Sequence, residues 1–181
     1  MKTTIINFSG RHGGNCYDVA NLIKVALNEC DVELFHMCDI KIAPCGYCNY
    51  ECLDFADACV IDGDAAGIYT SLCNADIAYF ILPNYIGWPN ANFWVFNERK
   101  QGFFGRKPNL IDRYMQLDKK FVVISNTDKD NFCRVFSSHV KGEPDILFLS
   151  TKDFDAGGVR GGMMGSTKAQ TTLKEFVKRC T

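Results

Sequence analysis

The segment that most constrains this chain is Ile77 to Leu82, an unbroken apolar run between Asp76 and Pro83. A run of that length without alternation is the mark of a central strand covered on both faces, which requires helices above and below a sheet. It opens the longest stretch free of Asp, Glu, Lys and Arg, Ile77 to Asn97. By length that stretch can span a bilayer, but Pro83 and Pro89 break it, and Asn84, Asn90, Asn92 and Asn97 place amides in it. A strand, a loop and a helix are expected there instead.

The rest of the chain alternates in the same way. TTIIN reads as a strand, the Gly-rich FSGRHGGN as a loop, and Val19, Leu22, Ile23, Ala26 and Cys30 as one face of a helix. Val32 to Met37 alternates as a second strand, followed by a cysteine-rich segment, Cys38 to Ile61, with little periodicity. Asp62 and Asp64 offer caps for a helix to about Cys73. After Ile77 to Leu82 come a helix over Phe93 to Arg99, a Gly- and Pro-bearing connection, and a short helix from Asn109 to Gln116. Phe121 to Ser125 and Ile146 to Leu149 read as strands around a helix from Asn131 to Val140, and a Gly-rich loop from Thr151 leads to a last helix. This predicts one α/β domain over residues 1–181, a doubly wound, five-stranded parallel sheet with a cysteine-rich insertion after the second strand. Such sheets bind ligands at the carboxyl ends of their strands, so the loops opening at Phe8, Pro83, Asn126 and Thr151 are the ones to examine.

Charge narrows the partners. Twenty Lys+Arg against 21 Asp+Glu leaves a net −1 with no basic run, so no nucleic acid is expected. Ile5 and Ile6 are too short an apolar core for a signal peptide, which with the argument on Ile77 to Asn97 predicts a cytoplasmic protein with no membrane partner. Ten cysteines are many for such a chain. Cys45, Cys48, Cys52 and Cys59 crowd together, while Cys16, Cys30, Cys38, Cys73, Cys133 and Cys180 are scattered and read mainly as buried structural thiols.

Ser9-Gly10-Arg11-His12-Gly13-Gly14-Asn15-Cys16 leaves the first strand and enters the first helix, where backbone N–H groups and the helix dipole can hold a phosphate. It is neither a dinucleotide fingerprint nor a P-loop, since no Lys follows Gly14. A plain Gly-rich turn, with His12 a surface residue of no role, is the alternative.

S-G-R-x-G-G-N-C resembles the S-P-R-x-x-G-N-T phosphate loop of the NADPH-dependent FMN reductases and related flavodoxin-like oxidoreductases, and P-N-Y-I-G, Pro83 to Gly87, resembles their flavin-packing loop. The likeness covers most of Met1 to Arg99. It implies a flavodoxin-like fold with FMN as cofactor and NAD(P)H as co-substrate. Ser9, Arg11, Gly14, Asn15 and Cys16 would hold the phosphate; Pro83, Asn84, Tyr85, Ile86 and Gly87, with Trp88 nearby, would bracket the ring. Cys16 stands where that family has Thr or Ser, and a thiol donates a weaker hydrogen bond. The loop at Asn126, a third candidate contact, lacks the family's glycines, and Asp128 and Asp130 would repel an anion there. Tyr85 and Trp88 can alternatively pack a subunit interface, and a homodimer or higher homo-oligomer is expected.

Pro44 and Cys45 begin a P-C-x-x-C pattern similar to that of a branch that includes the iron-sulfur flavoproteins. Four thiolates at Cys45, Cys48, Cys52 and Cys59 can hold a 4Fe-4S cluster or a tetrahedral zinc, or the thiols can fill space without metal. The expected function is therefore an NAD(P)H-dependent FMN reductase-like oxidoreductase serving flavin, quinone or another small acceptor, with no acid or base of known identity. The alternatives are an iron-sulfur flavoprotein electron carrier between protein partners, and a cofactor-free metal- or nucleotide-binding protein of the same fold.

Overall fold

The computed structural model describes residues 1–46, 48–54, 59, 61, 63–140, 143–154, 158 and 160–178. The expected cap at Asp62 and the helix-end thiol Cys180 lie outside the described residues. Five strands form the parallel body of the sheet: β1 (Lys2–Asn7), β2 (Asp31–His36), β3 (Ile77–Tyr85), β5 (Asp118–Ser125) and β6 (Asp145–Ser150), in the order β2-β1-β3-β5-β6. A sixth strand corrects the five-stranded expectation. It is β4 (Trp88–Pro89), antiparallel to the end of β3, pairing Tyr85 with Trp88 and Asn84 with Pro89. Two residues are too few for a periodic signal, which is why the sequence reads as loop there.

Alternation within the buried strands sends side chains to two cores. Ile5, Tyr79, Ile81, Val122 and Leu149 meet α1 (Asn15–Ala26) and α8 (Thr167–Lys178). Ile6, Phe80, Leu82, Phe121 and Val123 meet an aromatic-rich layer from α3 (Ala65–Asn74), α4 (Ala91–Glu98), α6 (Pro108–Gln116) and α7 (Lys129–Ser137). Each such fully buried side chain stabilises the fold by roughly 1.5–3 kcal/mol relative to exposure. The strand read as Ile77 to Leu82 is thus central, with its first six residues buried.

The strand continues through Pro83 because β1 has already ended. Asn7 pairs with Ile81, so on that side no ladder bond is asked of the missing proline N–H, while Pro83 still sits opposite Ile124 of β5. The expected connection after Arg99 is in fact a helix, α5 (Lys100–Phe104). Its Gly102 has no room for a side chain, since a Cβ there would meet Cys59 Sγ at 3.0 Å. Asp64 does not cap α3 through its side chain; its carboxylate accepts from the Lys41 N–H at 2.8 Å, which ties the end of the cysteine segment to its beginning. That segment, residues 37–64, is described in part and includes the short helix α2 (Glu51–Asp54).

Candidate functional site

Parallel register aligns the strand ends. Asn7 pairs with His36 and Ile81, and Ser125 with Ser150, so the loops after β1, β2, β3, β5 and β6 leave one edge of the sheet. A cleft of about 250 Å³ opens at this edge between the loops after β1 and β3. That is the point where strand order reverses, the usual ligand crevice of such sheets. Ser9, Arg11, Gly14, Asn15, Cys16, Pro83, Asn84, Tyr85, Ile86 and Asn126 all line it, as the sequence pattern expected. Ile124, Ser125 and Thr151 line it as well, contributed by strand ends that carry no local motif. A wider concavity of about 470 Å³, bordered by Trp88, Asn90 and Asn92, adjoins it and shares Arg11 and Tyr85.

The loop after β1 is held open by local hydrogen bonds and a glycine pair. Ser9 N–H donates to Asn7 Oδ1 at 3.0 Å, and Arg11 N–H to Ser9 Oγ at 3.3 Å, fixing the chain as it leaves the strand. Gly13 and Gly14 then take φ of 88° and 86°, a conformation L side chains rarely adopt. No side chain caps α1, so its first N–H groups and the positive end of its dipole face the cradle.

Several expected ligands prove to be struts. The Asn15 amide donates to the Gly158 carbonyl at 3.0 Å and accepts from the Met163 N–H at 2.9 Å, so its side chain braces the loop after β6, and only its backbone N–H is left to the cradle. Asn84 donates to Ser125 Oγ at 2.9 Å and Thr127 Oγ1 at 3.1 Å, and accepts from Gly87 N–H at 2.8 Å. Gly87 is therefore a turn residue whose N–H is already engaged, and it does not line the cleft. Asn90 and Asn92 both donate to the Phe8 carbonyl, at 2.6 and 3.1 Å, joining the β1 and β4 loops. Asn90 Oδ1 remains buried without a hydrogen-bond partner.

Cys16 is buried, and burial pushes its thiol up to about 12, so it is a protonated wall rather than a nucleophile. Asp128 does not oppose an anion here: it is turned to solvent and lies 3.7 Å from Lys152. Tyr85, Ile86 and Trp88 stand exposed on a two-residue hairpin turn, with Ile86 at φ 54° and Gly87 at φ 86°. A β-branched residue in that conformation is strained by roughly 1–2 kcal/mol. The lining holds no carboxylate and no histidine among the described residues.

The cysteine segment is a second locus. Burial first, and then the like charges of Cys48, Cys59 and Cys45, push the Cys52 thiol up. The four sulfurs are not drawn together tightly: among the described residues the one His/Cys/Asp/Glu group with ligand atoms within 4.8 Å of one another lies elsewhere. Tetrahedral zinc would need its sulfurs about 3.8 Å apart, given bonds of roughly 2.3 Å. Arg99, 4% exposed, reaches into this segment and donates to the Ala43 carbonyl at 3.0 Å, the Ile61 carbonyl at 2.7 Å and Cys59 Sγ at 3.1 Å. No carboxylate among the described residues pairs with it. The sequence offers no sign of this, because Arg99 reads as an ordinary polar helix end.

These features define a class: an α/β protein with the flavodoxin-like strand order and an anion cradle at its switch point. No protein-family model matches the chain, and no curated protein matches it in sequence. Solved structures share the fold. Trp repressor binding protein from Bacillus subtilis superposes with a TM-score of 0.66 at 15% identity over 98% of this chain and 99% of that one. RosB with bound 8-demethyl-8-formylriboflavin-5'-phosphate gives 0.63 at 12% identity over 98% and 76%. The apo form of the NADH:FMN oxidoreductase EMOB gives 0.55 at 11% identity over 98% and 87%. No helix among the described residues is long and apolar enough to cross a membrane.

Proposed function

We propose that this chain binds FMN in the cleft and acts as an NAD(P)H-dependent oxidoreductase toward a small electron acceptor. The observation that carries this reading is the alignment of an uncapped helix start and its glycine cradle with a cleft that runs to an exposed aromatic hairpin. A flat ligand with a dianionic tail fits that sequence of surfaces. Two proteins of similar fold point the same way, one described as an NADH:FMN oxidoreductase and one holding a riboflavin 5'-phosphate derivative.

A bound flavin would supply the electron chemistry, accepting a hydride and giving electrons on to an acceptor. The chain's own residues then bind and orient. The first N–H groups of α1 and the Arg11 side chain take the phosphate, and Tyr85 and Ile86 flank the ring. Among the described residues the lining offers neither carboxylate nor imidazole, and Cys16 is held protonated. The concavity beside Trp88 leaves one ring face open to nicotinamide or acceptor in turn, and Ile86, 92% exposed, is where a second copy of the chain would cover the hairpin. A flavin fluorescence titration tests the placement: Arg11→Glu should raise the FMN Kd at least about tenfold, the loss of a charge-assisted hydrogen bond. An unchanged Kd would put the phosphate elsewhere, and FMN binding without NAD(P)H oxidation would leave an electron carrier.

A second reading adds a metal centre at Cys45, Cys48, Cys52 and Cys59. Arg99 supports it: among the described residues this buried guanidinium has no carboxylate partner and donates to Cys59 Sγ, an atom that a thiolate-ligated 4Fe-4S centre would make anionic. Among the described residues the four sulfurs do not gather as closely as a single zinc ion requires, which favours a cluster. Iron and sulfide content of anaerobically reconstituted protein decides it, and neither near stoichiometry would leave a plain cysteine-rich loop.

A further inference from the structure

We propose that His12, Cys38 and Asp39 form a zinc-binding site that staples the loop after β1 to the turn after β2. Parallel pairing of Asn7 with His36 brings these segments together: His12 lies five residues beyond Asn7, and Cys38 and Asp39 two and three beyond His36. The turn is itself fixed, with Met37 N–H donating to the Asn7 carbonyl and Asp39 N–H to the His36 carbonyl, both at 2.9 Å. The imidazole nitrogen, the thiol sulfur and a carboxylate oxygen all fall within 4.8 Å of one another. His12 Nδ1 stands 3.4 Å from Asp39 Oδ1, and the Asp39 side chain is hydrogen-bonded to Cys38.

One nitrogen, one sulfur and one oxygen at this separation are the donors zinc takes, with a fourth position left to water. Magnesium and calcium take all-oxygen sets and are not expected. His36 is a wall of the site rather than a ligand: its Nδ1 meets the Asn7 amide at 3.0 Å and its ring stacks on Tyr17 with centroids 4.2 Å apart. Without a metal, His12 and Asp39 make only a surface pair, their side chains 73% and 56% exposed, and such a pair contributes little. The site stands apart from the flavin reading, because no proposed flavin contact is a ligand in it. It is distinct from the four clustered cysteines, and separated by 26 residues in sequence it leaves no local motif.

The test is a zinc titration of the full chain followed by amide NMR, which separates this site from the cysteine segment. Zinc should shift the amides of His12, Cys38 and Asp39, and bound cadmium-113 should give a resonance in the range of a single sulfur ligand. His12→Ala at an exposed position and Cys38→Ser at a half-buried one, both checked for folding by circular dichroism, should each weaken zinc at this site at least about tenfold. The proposal is overturned if saturating zinc moves only amides between residues 45 and 59, or if both variants keep the wild-type affinity.

Discussion

The loop after β1 and the segment after β2 leave adjacent strands at the same edge, yet they are held by opposite means. The first is braced by uncharged amides: Asn15, Asn84, Asn90 and Asn92 spend their hydrogen bonds on neighbouring loops and leave the cradle's backbone N–H groups to a ligand. The second is braced by ions. Arg99 holds two carbonyls and Cys59, Arg106 donates to the Asp54 carbonyl, and Glu98 accepts from the Cys45 N–H at 3.3 Å. The segment after β2 is itself acidic, with Asp39, Glu51, Asp54, Asp57, Asp62 and Asp64 against Lys41, yet no carboxylate among the described residues pairs with Arg99. At the first, the proposed FMN phosphate would meet the uncapped start of α1 from outside; at the second, deprotonated thiols around a metal would face Arg99 from within the chain.

The largest effect is expected at Arg99. Arg99→Met removes the buried cation while keeping most of its volume, and it should cost about 3 kcal/mol or more in metal-loaded protein, where the thiolates lose their partner. Denaturant unfolding of loaded and chelator-treated protein measures this. Equal losses in both would make Arg99 a plain strut and erase the contrast between the two regions.

The next effect sharpens the contrast through pH. Lys100, beside Arg99, is a second buried cation on the same side, its Nζ 5.4 Å above the Tyr114 ring, while Lys119 lies 4.4 Å above that ring. Burial, then the neighbouring Lys119 charge, brings Lys100 down to about 8. The unfolded chain keeps this proton up to about 10.5, so between about pH 8 and 10.5 it binds more protons than the folded chain, and stability rises with pH. Below pH 8 the cost is fully present, up to about 3 kcal/mol. Chemical denaturation across pH 7–10 should show the wild type gaining on Lys100→Met as the pH climbs; parallel profiles would mean that Lys100 is solvated.

The smallest effect concerns the hairpin facing the cleft. Ile86→Asn places a residue tolerant of positive φ at the strained position and should raise stability by about 1 kcal/mol. A fall in Tm that deepens at higher protein concentration would instead show that the exposed isoleucine is covered by a second copy in solution.

What the sequence made legible was whatever rests on contiguous residues. The apolar runs at Ile77 and Phe121 have the burial expected of them, and the glycine pair at Gly13 and Gly14 sits where a ligand can approach the backbone. Hydrogen-bond destinations were not legible. Nothing local shows that the Asn15 amide is committed to Gly158 and Met163, or that Arg99 turns inward, because those partners are assembled by the sheet. The hairpin at β4 escaped for another reason, since Ile86 contradicts the residue preference of the turn it occupies.

The Asn15 bridge also bears on when the site comes into being. Its two partners lie 143 and 148 residues further along the chain, so the cradle encoded near the amino terminus acquires its brace only after β6 and the following loop have been made. During synthesis the glycine loop emerges early and waits, unbraced, for nearly the whole of translation. Completion of the cleft's wall is thereby postponed to the final stage of folding, and a ribosome stalled before Gly158 would carry a nascent chain with the motif and without that wall.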